Sequence, residues 1–254
     1  DQVMYVWFDA LTNYISTLGW PEEDGDFKKF WTDGHTLQLA GKDQIRFQSI
    51  MWQAMLKSAG VAATDQVFYH GFINSGGHKM SKSLGNVISP YELVEKYGTD
   101  ATRYILLRHV HPVDDSDLTW EKMDGYYTDN LVNGLGNLVA RIMKMAETHL
   151  RKTPQIPSDP LPENFNLLFD KYSFNDALNI VWNVIDLSDG YIQEYEPFKL
   201  VKTDKDSAIK HIGKLVVDLS RIAKLLEVVM PETSEKILKA IKANKKPDTL
   251  LCRD

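Results

Sequence analysis

Apolar spacing changes character near residue 126, and that change limits the possible folds of this 254-residue chain more than any other feature. Before it, short apolar runs alternate with helical spacing. Residues 3–8 read as a buried strand, and residues 37–40 as another that ends at Gly41. Phe47, Ile50, Met51, Ala54 and Met55 then recur three and four apart, which predicts a helix. Residues 66–69 predict a further strand leading into Gly71. Strand, helix, strand is the rhythm of a parallel sheet with covering helices. After the change the spacing is helical throughout. Leu131, Leu135, Leu138, Ile142 and Met145 form one apolar stripe, and Ile209, Ile212, Val216, Leu219, Ala223 and Leu226 form another. Helices are expected at about 175–194 and 206–229, after a proline-rich connection at 153–162, and Pro231 opens a last one. The fold class is therefore an α/β piece up to about residue 123, followed by an all-α helical bundle.

Between these parts, Ser75-Gly76-Gly77 is a flexible break. Pro90 begins a short helix, Thr99-Asp100 caps another reaching about His109, and Asp114, Asp115 and Asp117 mark an acidic surface loop at 111–118. Composition adds exclusions. The chain is 43% hydrophobic and 25% charged, as a globular protein is, and no apolar run approaches the roughly 20 residues of a bilayer span. A net charge of -6 argues against coating nucleic acid by bulk electrostatics, so any RNA contact must use local basic patches. One cysteine, Cys252, leaves no internal disulfide and no zinc site of several thiolates, which points to a cytoplasmic setting. The opening residues have neither an initiator Met nor a basic segment, and read as a domain already under way.

The stretch His78-Lys79-Met80-Ser81-Lys82-Ser83-Leu84-Gly85-Asn86 carries the most chemistry. Two lysines three apart, interleaved with hydroxyls and preceded by glycines, suit a triphosphate: ammonium groups offset charge on a leaving pyrophosphate, and hydroxyls and amides add hydrogen bonds. On physics alone an ordinary solvated loop is the more common meaning of such a stretch. Lys-Met-Ser-Lys-Ser, however, resembles without substitution the second signature of class I aminoacyl-tRNA synthetases. That resemblance implies that Lys79, Met80, Ser81, Lys82 and Ser83 bind ATP phosphates, brought in with Mg²⁺, and that Lys79 and Lys82 are catalytic.

Val6-Trp7-Phe8-Asp9-Ala10-Leu11-Thr12-Asn13-Tyr14-Ile15 closely resembles the methionine-pocket segment of methionyl-tRNA synthetases. The resemblance places Trp7, Ala10 and Tyr14 around the thioether, where aromatic faces supply dispersion and sulfur contacts; the alternative is three ordinary core residues. Gly41-Lys42-Asp43 closes a predicted strand, where open sheets place ligands. The family implies that Gly41 and Asp43 meet the adenosine, with His70 and the Ile73 backbone beside it. Two departures stand out. Gln48 replaces the usual pocket histidine, and it can donate and accept but not titrate near neutral pH. Gln53 replaces a usual proline.

Asn133, Asn137 and Arg141 are four apart, with Asn130 close by, and the leucine stripe lies roughly 120° away around the helix. A polar face can read unstacked bases or can simply be solvated. Leu135-Gly136-Asn137-Leu138-Val139-Ala140-Arg141 resembles the anticodon-reading helix of the family, which implies contact of Asn137 and Arg141 with a CAU anticodon. Phe198, in Glu196-Pro197-Phe198-Lys199, stands where the family has tryptophan; it either stacks on a base or packs in the core. Lys199, Lys202 and Lys205 would add phosphate contacts.

The resemblance implies the C-terminal part of the family: a Rossmann-type half-domain at 1–75, the signature loop and stem-contact segment at 76–123, and a helical anticodon-binding domain at 124–254. Nothing resembles the His-Ile-Gly-His signature or the zinc knuckle of the other half, so no metal site is expected. The implied reaction is ATP-dependent activation of methionine and its transfer to methionine tRNA, which this chain is not expected to perform without the missing N-terminal half. Rival readings are a related class I synthetase for leucine, isoleucine, valine or cysteine, and a non-catalytic tRNA-binding module. No membrane partner is expected.

Overall fold

The structure, a computed structural model, describes residues 2–3, 5–22, 24–158 and 161–251, and of Lys82 the backbone alone. Cys252 lies outside the described residues. The chain forms two compact units, residues 1–72 and 73–254.

The first unit runs α1 (Val6–Ser16), α2 (Gly25–Phe27) leading into wide helical turns at Lys28–Thr32, β1 (Leu37–Gly41), wide turns at Arg46–Trp52, α3 (Gln53–Ser58) and β2 (Gln66–His70). β1 and β2 pair in parallel, from Leu37 opposite Gln66 to Gly41 opposite His70. Parallel neighbours need a crossover, and the helical residues between the strands supply it. The core is small: Leu11, Ile15, Phe27, Trp31, Trp52 and Leu56.

Three expectations are corrected here. Residues 3–8 are not a buried strand: Val3 is 95% exposed and Val6 starts α1. Trp7, Leu11 and Ile15, four apart, turn one helical face inward, and a short apolar run hides that period. In the helix after Gly41, Gln48, Trp52 and Leu56 are fully buried and the expected Met51 and Met55 pack against the same core, whereas Ile50 is exposed. Turns that close five residues apart at 46–52 shift the face relative to ordinary helical phase. β1 is not buried on both faces: Gln38 and Ala40 turn inward, and Leu37 and Leu39 outward.

The second unit holds β3 (Ile73–Ser75), β4 (His78–Lys79), α4 (Pro90–Tyr97), α5 (Thr99–His109), β5 (Ser116–Asp117), α6 (Trp120–Gly125), wide turns at Tyr126–Gly136, α7 (Asn137–His149), α8 (Glu163–Asp170), α9 (Phe174–Tyr195), α10 (Pro197–Leu200), α11 (Lys205–Leu226) and α12 (Pro231–Ala243). β3 is antiparallel to β4 and parallel to β5. The short α8 was not foreseen, since only Phe165 of its eight residues is fully buried.

The apolar stripe of 131–145 is buried along its length. It shares one core with Leu178, Val181 and Ile185 of α9 and with Ile212, Val216 and Leu219 of α11. Each such side chain contributes about 1.5–3 kcal/mol through burial. Leu93, Tyr104 and Ile105 join the same core, which ties α4 and α5 to the bundle.

α5 also holds the turn between α11 and α12. Arg103 donates to the Val228 and Val229 carbonyls at 2.9 and 2.8 Å. Asp100 accepts from the Thr233 amide at 2.6 Å, at the positive end of α12. Asp100 was expected to cap its own helix. Gly98 does that with φ 79°, a conformation open to glycine, and no side chain caps α5.

At the far end of α5, His109 stacks on Tyr126 with ring centroids 3.6 Å apart, lies 3.2 Å from the Tyr104 hydroxyl and hydrogen-bonds Asn130. Burial, reinforced by the Arg108 guanidinium, pushes the imidazole pKa down to about 4. An unfolded histidine takes its proton near pH 6.5, so between pH 6.5 and 4 the unfolded state binds more protons. Stability therefore falls as pH drops through that window. Urea unfolding at pH 7 and pH 5 is expected to show a smaller pH loss for His109→Gln than for the parent chain, and equal losses would remove this role.

Candidate functional site

Trp7, Ala10 and Tyr14 share one face of α1 because they stand three and four apart. Trp7 stacks on Phe47 at 4.3 Å, and Tyr14 tilts against Trp52 at 5.8 Å. Gln48, only 3% exposed, donates through Nε2 to the Tyr14 hydroxyl at 2.9 Å, while its Oε1 is buried without a partner. A buried unmet acceptor is costly and marks a place where a polar ligand group would be welcome. Gln53 supports this arrangement from behind. Its Nε2 donates to the Gln48 carbonyl at 2.9 Å and its Oε1 accepts from the Thr64 amide at 3.0 Å. Thr64 in turn donates to Gln38 at 2.9 Å. The inward glutamine of β1 is thus the end of a polar chain that leads to the Tyr14 hydroxyl, and the Gln53 side chain is bonded to the Gln48 backbone. An apolar cavity of about 580 Å³, lined by Phe8, Thr12, Ile15 and Trp20 among others, sits on another face of α1 and involves none of the four expected residues.

Gly41 and His70 are paired where β1 and β2 end, and Asp43 follows at once. A Cβ on Gly41 would come within 2.8 Å of Asp43 Oδ1, so the glycine leaves room for that carboxylate. His70 Nδ1 lies 2.9 Å from the Gly71 carbonyl. Gly41, Asp43 and His70 meet in the first unit at the carboxyl ends of parallel strands, where open sheets bind ligands; Ile73 and the lysine loop belong to the second unit.

In that loop, Gly76 and Gly77 have φ 64° and 76° and turn β3 back into β4. Positive φ at both central residues is the two-residue hairpin that follows strand twist. Met80 packs against the core of the second unit. Asn86 closes the loop by accepting from the Ser81 amide at 2.9 Å and donating to the Ser75 and Lys79 carbonyls at 3.4 Å each. Ser81 and Ser83 hydroxyls lie 3.1 Å apart. The Lys82 side chain is outside the described residues. Asp117, taken from sequence as part of a plain acidic loop, accepts from the Gly77 amide at 2.7 Å and from Lys122 at 2.8 Å. The Gly77 amide first, and Lys122 with it, hold the Asp117 carboxyl below its usual range. No sequence spacing links Gly77 to Asp117, so only the fold reveals this anchor.

On the bundle, Asn137, Arg141 and Phe198 line one cleft of about 550 Å³ together with Lys144, Ile192 and Lys246. Glu196, with φ 39°, ends α9 and starts α10, and so presents Phe198 on the cleft wall, 46% exposed and not packed in the core. Arg141 donates to Asp189 at 2.6 Å. Burial raises the Asp189 pKa and Arg141 opposes the rise. Asn133 lies in the wide turns before α7, outside the cleft lining. Lys199 pairs with Glu196 at 2.6 Å. Among the described residues no group of three or more His, Cys, Asp or Glu is placed to hold a metal, and no helix is long and apolar enough to cross a membrane.

Residues 1–143, more than half of the chain, match the family described as tRNA synthetases class I (M). The chain belongs to this family. It is similar to the methionine–tRNA ligases of Fusobacterium nucleatum, 37% identical over 92% of this chain and 39% of that protein, and of Mycobacterium leprae, 34% identical over 94% of this chain and 47% of that one. The chain thus spans less than half the length of these relatives. Its structure resembles Mycobacterium tuberculosis methionyl-tRNA synthetase in complex with methionyl-adenylate, with a TM-score of 0.83 and 30% identity, over 99% of this chain and 56% of that one.

Within a class I synthetase fold, the Asp117 anchor bears on the lysine loop directly. A carboxylate with a depressed pKa keeps its hold above the unfolded value and loses it as pH falls through the lowered one. At neutral pH, Asp117→Ala is expected to speed hydrogen exchange at the Gly77 amide by about fivefold, the worth of roughly one hydrogen bond. Unchanged exchange would show that the turn holds itself.

Proposed function

We propose that this chain supplies part of a methionine–tRNA ligase, which activates methionine with ATP and transfers it to methionine tRNA. The observation that carries the reading is that two separate side-chain sets named by the family resemblance are each assembled in space. Trp7 stacks on Phe47 and Tyr14 bonds the adjacent Gln48, and Asn137, Arg141 and Phe198 line one cleft.

In this reading the first unit is the second half of a Rossmann-type catalytic domain. The exposed Leu37 and Leu39 support it, because parallel strands are normally covered on both faces. Trp7, Ala10 and Tyr14 hold the methionine side chain, and Gln48 bridges to the tyrosine hydroxyl. Gly41, Asp43, His70 and Ile73 receive the adenosine. Lys79, Met80, Ser81, Lys82 and Ser83 engage the triphosphate, which arrives with Mg²⁺ as substrate. The methionine carboxylate attacks the α-phosphorus and pyrophosphate leaves. The protein's contribution is positioning, together with cationic stabilisation by Lys79 and Lys82 of charge on the leaving group. The bundle is the anticodon-binding domain, where Asn137 and Arg141 hydrogen-bond unstacked bases of CAU and Phe198 offers a stacking face. A cytoplasmic setting belongs to the same reading.

Two measurements test it. In the ligase completed with the rest of its catalytic domain, Lys82→Ala is expected to lower the rate of methionine-dependent pyrophosphate exchange by about 10²-fold or more while changing methionine affinity little. An unchanged rate, or exchange driven by leucine, isoleucine, valine or cysteine but not by methionine, would overturn it. Separately, this chain is expected to bind methionine tRNA more tightly than a transcript with an altered CAU triplet. Equal affinity for both would count against anticodon reading, whereas discrimination without exchange in the completed protein would indicate a non-catalytic tRNA-binding module.

A further inference from the structure

Gln53 stands where the wide turns of residues 46–52 give way to α3, and its side chain is fully engaged there. Nε2 donates to the Gln48 carbonyl at 2.9 Å and to the Thr64 hydroxyl at 3.2 Å, and Oε1 accepts from the Thr64 amide at 3.0 Å. The backbone N–H of Gln53 goes to the Ile50 carbonyl, three residues back. Wide turns close five residues apart, so the Gln48 carbonyl is the one that a continued wide turn would join to the Gln53 amide. The side chain takes that carbonyl instead. It thereby fixes where the wide turns end, and with that the helical phase that buries Gln48 and leaves Ile50 outside.

The same side chain ties the helix to the sheet. Thr64 leads into β2 and donates its hydroxyl proton to Gln38 of β1 at 2.9 Å. Both residues lie toward the amino ends of the strands, away from Gly41 and His70. Around Tyr14, by contrast, polar atoms are left over. The tyrosine hydroxyl accepts from Gln48 Nε2 at 2.9 Å, and its own proton has no acceptor among the described residues. Gln48 Oε1 is buried without a partner, and so is the indole nitrogen of Trp52, whose ring lies 5.8 Å from that of Tyr14. These two side chains are only 3% and 1% exposed. Buried amides and indoles normally find partners inside a protein, so unmet atoms gathered around one tyrosine point to a ligand.

We propose that Gln53 is a positioning residue for the methionine pocket: it holds Gln48 inward with Nε2 on the Tyr14 hydroxyl, which keeps the tyrosine's own proton for an acceptor on the substrate. The proposal rests on the reading of Trp7, Ala10 and Tyr14 as that pocket. Gln53 touches no substrate in it and acts through Gln48 alone. Its bonds to Thr64, and through Thr64 to Gln38, make the sheet the reference against which Gln48 is set. Because those bonds lie toward the amino ends of the strands, Gly41 and Asp43 keep their geometry without them. The thioether contact is remote from the carboxylate that reacts, so it is made equally before and in the transition state. Its weakening therefore raises KM rather than lowering kcat.

The test is a double-mutant cycle in the ligase completed with the rest of its catalytic domain, read by methionine-dependent pyrophosphate exchange. Gln53→Ala is expected to raise the methionine KM by about fivefold, the worth of roughly one hydrogen bond, with little change in kcat or in the KM for ATP. In a Gln48→Ala background the same substitution is expected to add no further rise. Circular dichroism verifies the fold of each variant. Should Gln53→Ala fail to fold, Gln53→Glu carries the comparison: it keeps the acceptor for the Thr64 amide and loses the donor to Gln48, and the same rise is expected. An unchanged methionine KM in the variant that folds would overturn the proposal. So would an equal rise with Gln48 present and absent, a matching loss in kcat and ATP KM, or failure of both variants to fold, since each would make Gln53 a brace for the whole unit. Exchange in the parent ligase that does not depend on methionine would instead sink the pocket reading itself.

Discussion

Burial of the apolar stripe from Leu131 to Met145 is the constraint on which the second unit depends. Those side chains are held between α9 and α11, and a helix with one face committed in this way has no rotational freedom left. Asn137 and Arg141 therefore stay on the outer face, and Ile192 of α9 becomes the floor between them and Phe198. The same packing brings the residues after α7 next to the start of α11. Two adjoining clefts follow from one buried stripe, one lined by Asn137, Arg141 and Phe198 and the other by Thr148, Arg151 and Lys205.

The lysine loop gains its order from the same unit by a different route. Gly76 and Gly77 allow a tight reversal but cannot hold it, since glycine is also the residue with most freedom to lose. Asp117 on β5, Asn86 and the partly buried Met80 supply the hold. β5 is set beside β3 by a loop that leaves α5, and α5 is itself locked by Asp100 and Arg103 onto the α11–α12 turn. A continuous series of hydrogen bonds and packed helices thus connects the loop to the bundle. In the first unit the corresponding device is polar: Gln38, Thr64, Gln53 and Gln48 form a chain that ends on the Tyr14 hydroxyl. Gln53 holds the backbone at Gln48 and the Thr64 amide at once, so the Gln48 side chain is fixed toward Tyr14.

The change from strand-and-helix rhythm to sustained helical spacing was legible in the residues themselves, but the compact units divide after Phe72, because α4 and α5 pack in the core of the bundle. Apolar spacing of three and four over several turns can be satisfied only by a helix with a buried face, so α7, α9, α11 and α12 were foreseeable. That Lys79 to Ser83 lie in a loop after a glycine turn, and that Asn137 and Arg141 share an outer helix face, was legible for a related reason, since such chemistry is contiguous or regularly spaced. Short apolar segments were not. Residues 3–8 fit a strand or a helix equally by pattern, and Ile50 and Gln48 exchanged places once wide turns changed the phase.

What sequence determined by itself was local: period, turn chemistry, and the family to which the motif residues belong. What tertiary structure decided were pairings between distant residues. Examples are Asp117 on Gly77, Asp100 on Thr233, Gln48 on Tyr14, and Lys205 beside Arg151. The physical reason is that a side chain's hydrogen-bond and charge requirements are written in its residue type, whereas its partner is chosen by which surfaces the buried core forces together. A lone Asp in an acidic loop and a Gln in an apolar run carry no mark of that choice until the chain has folded around them.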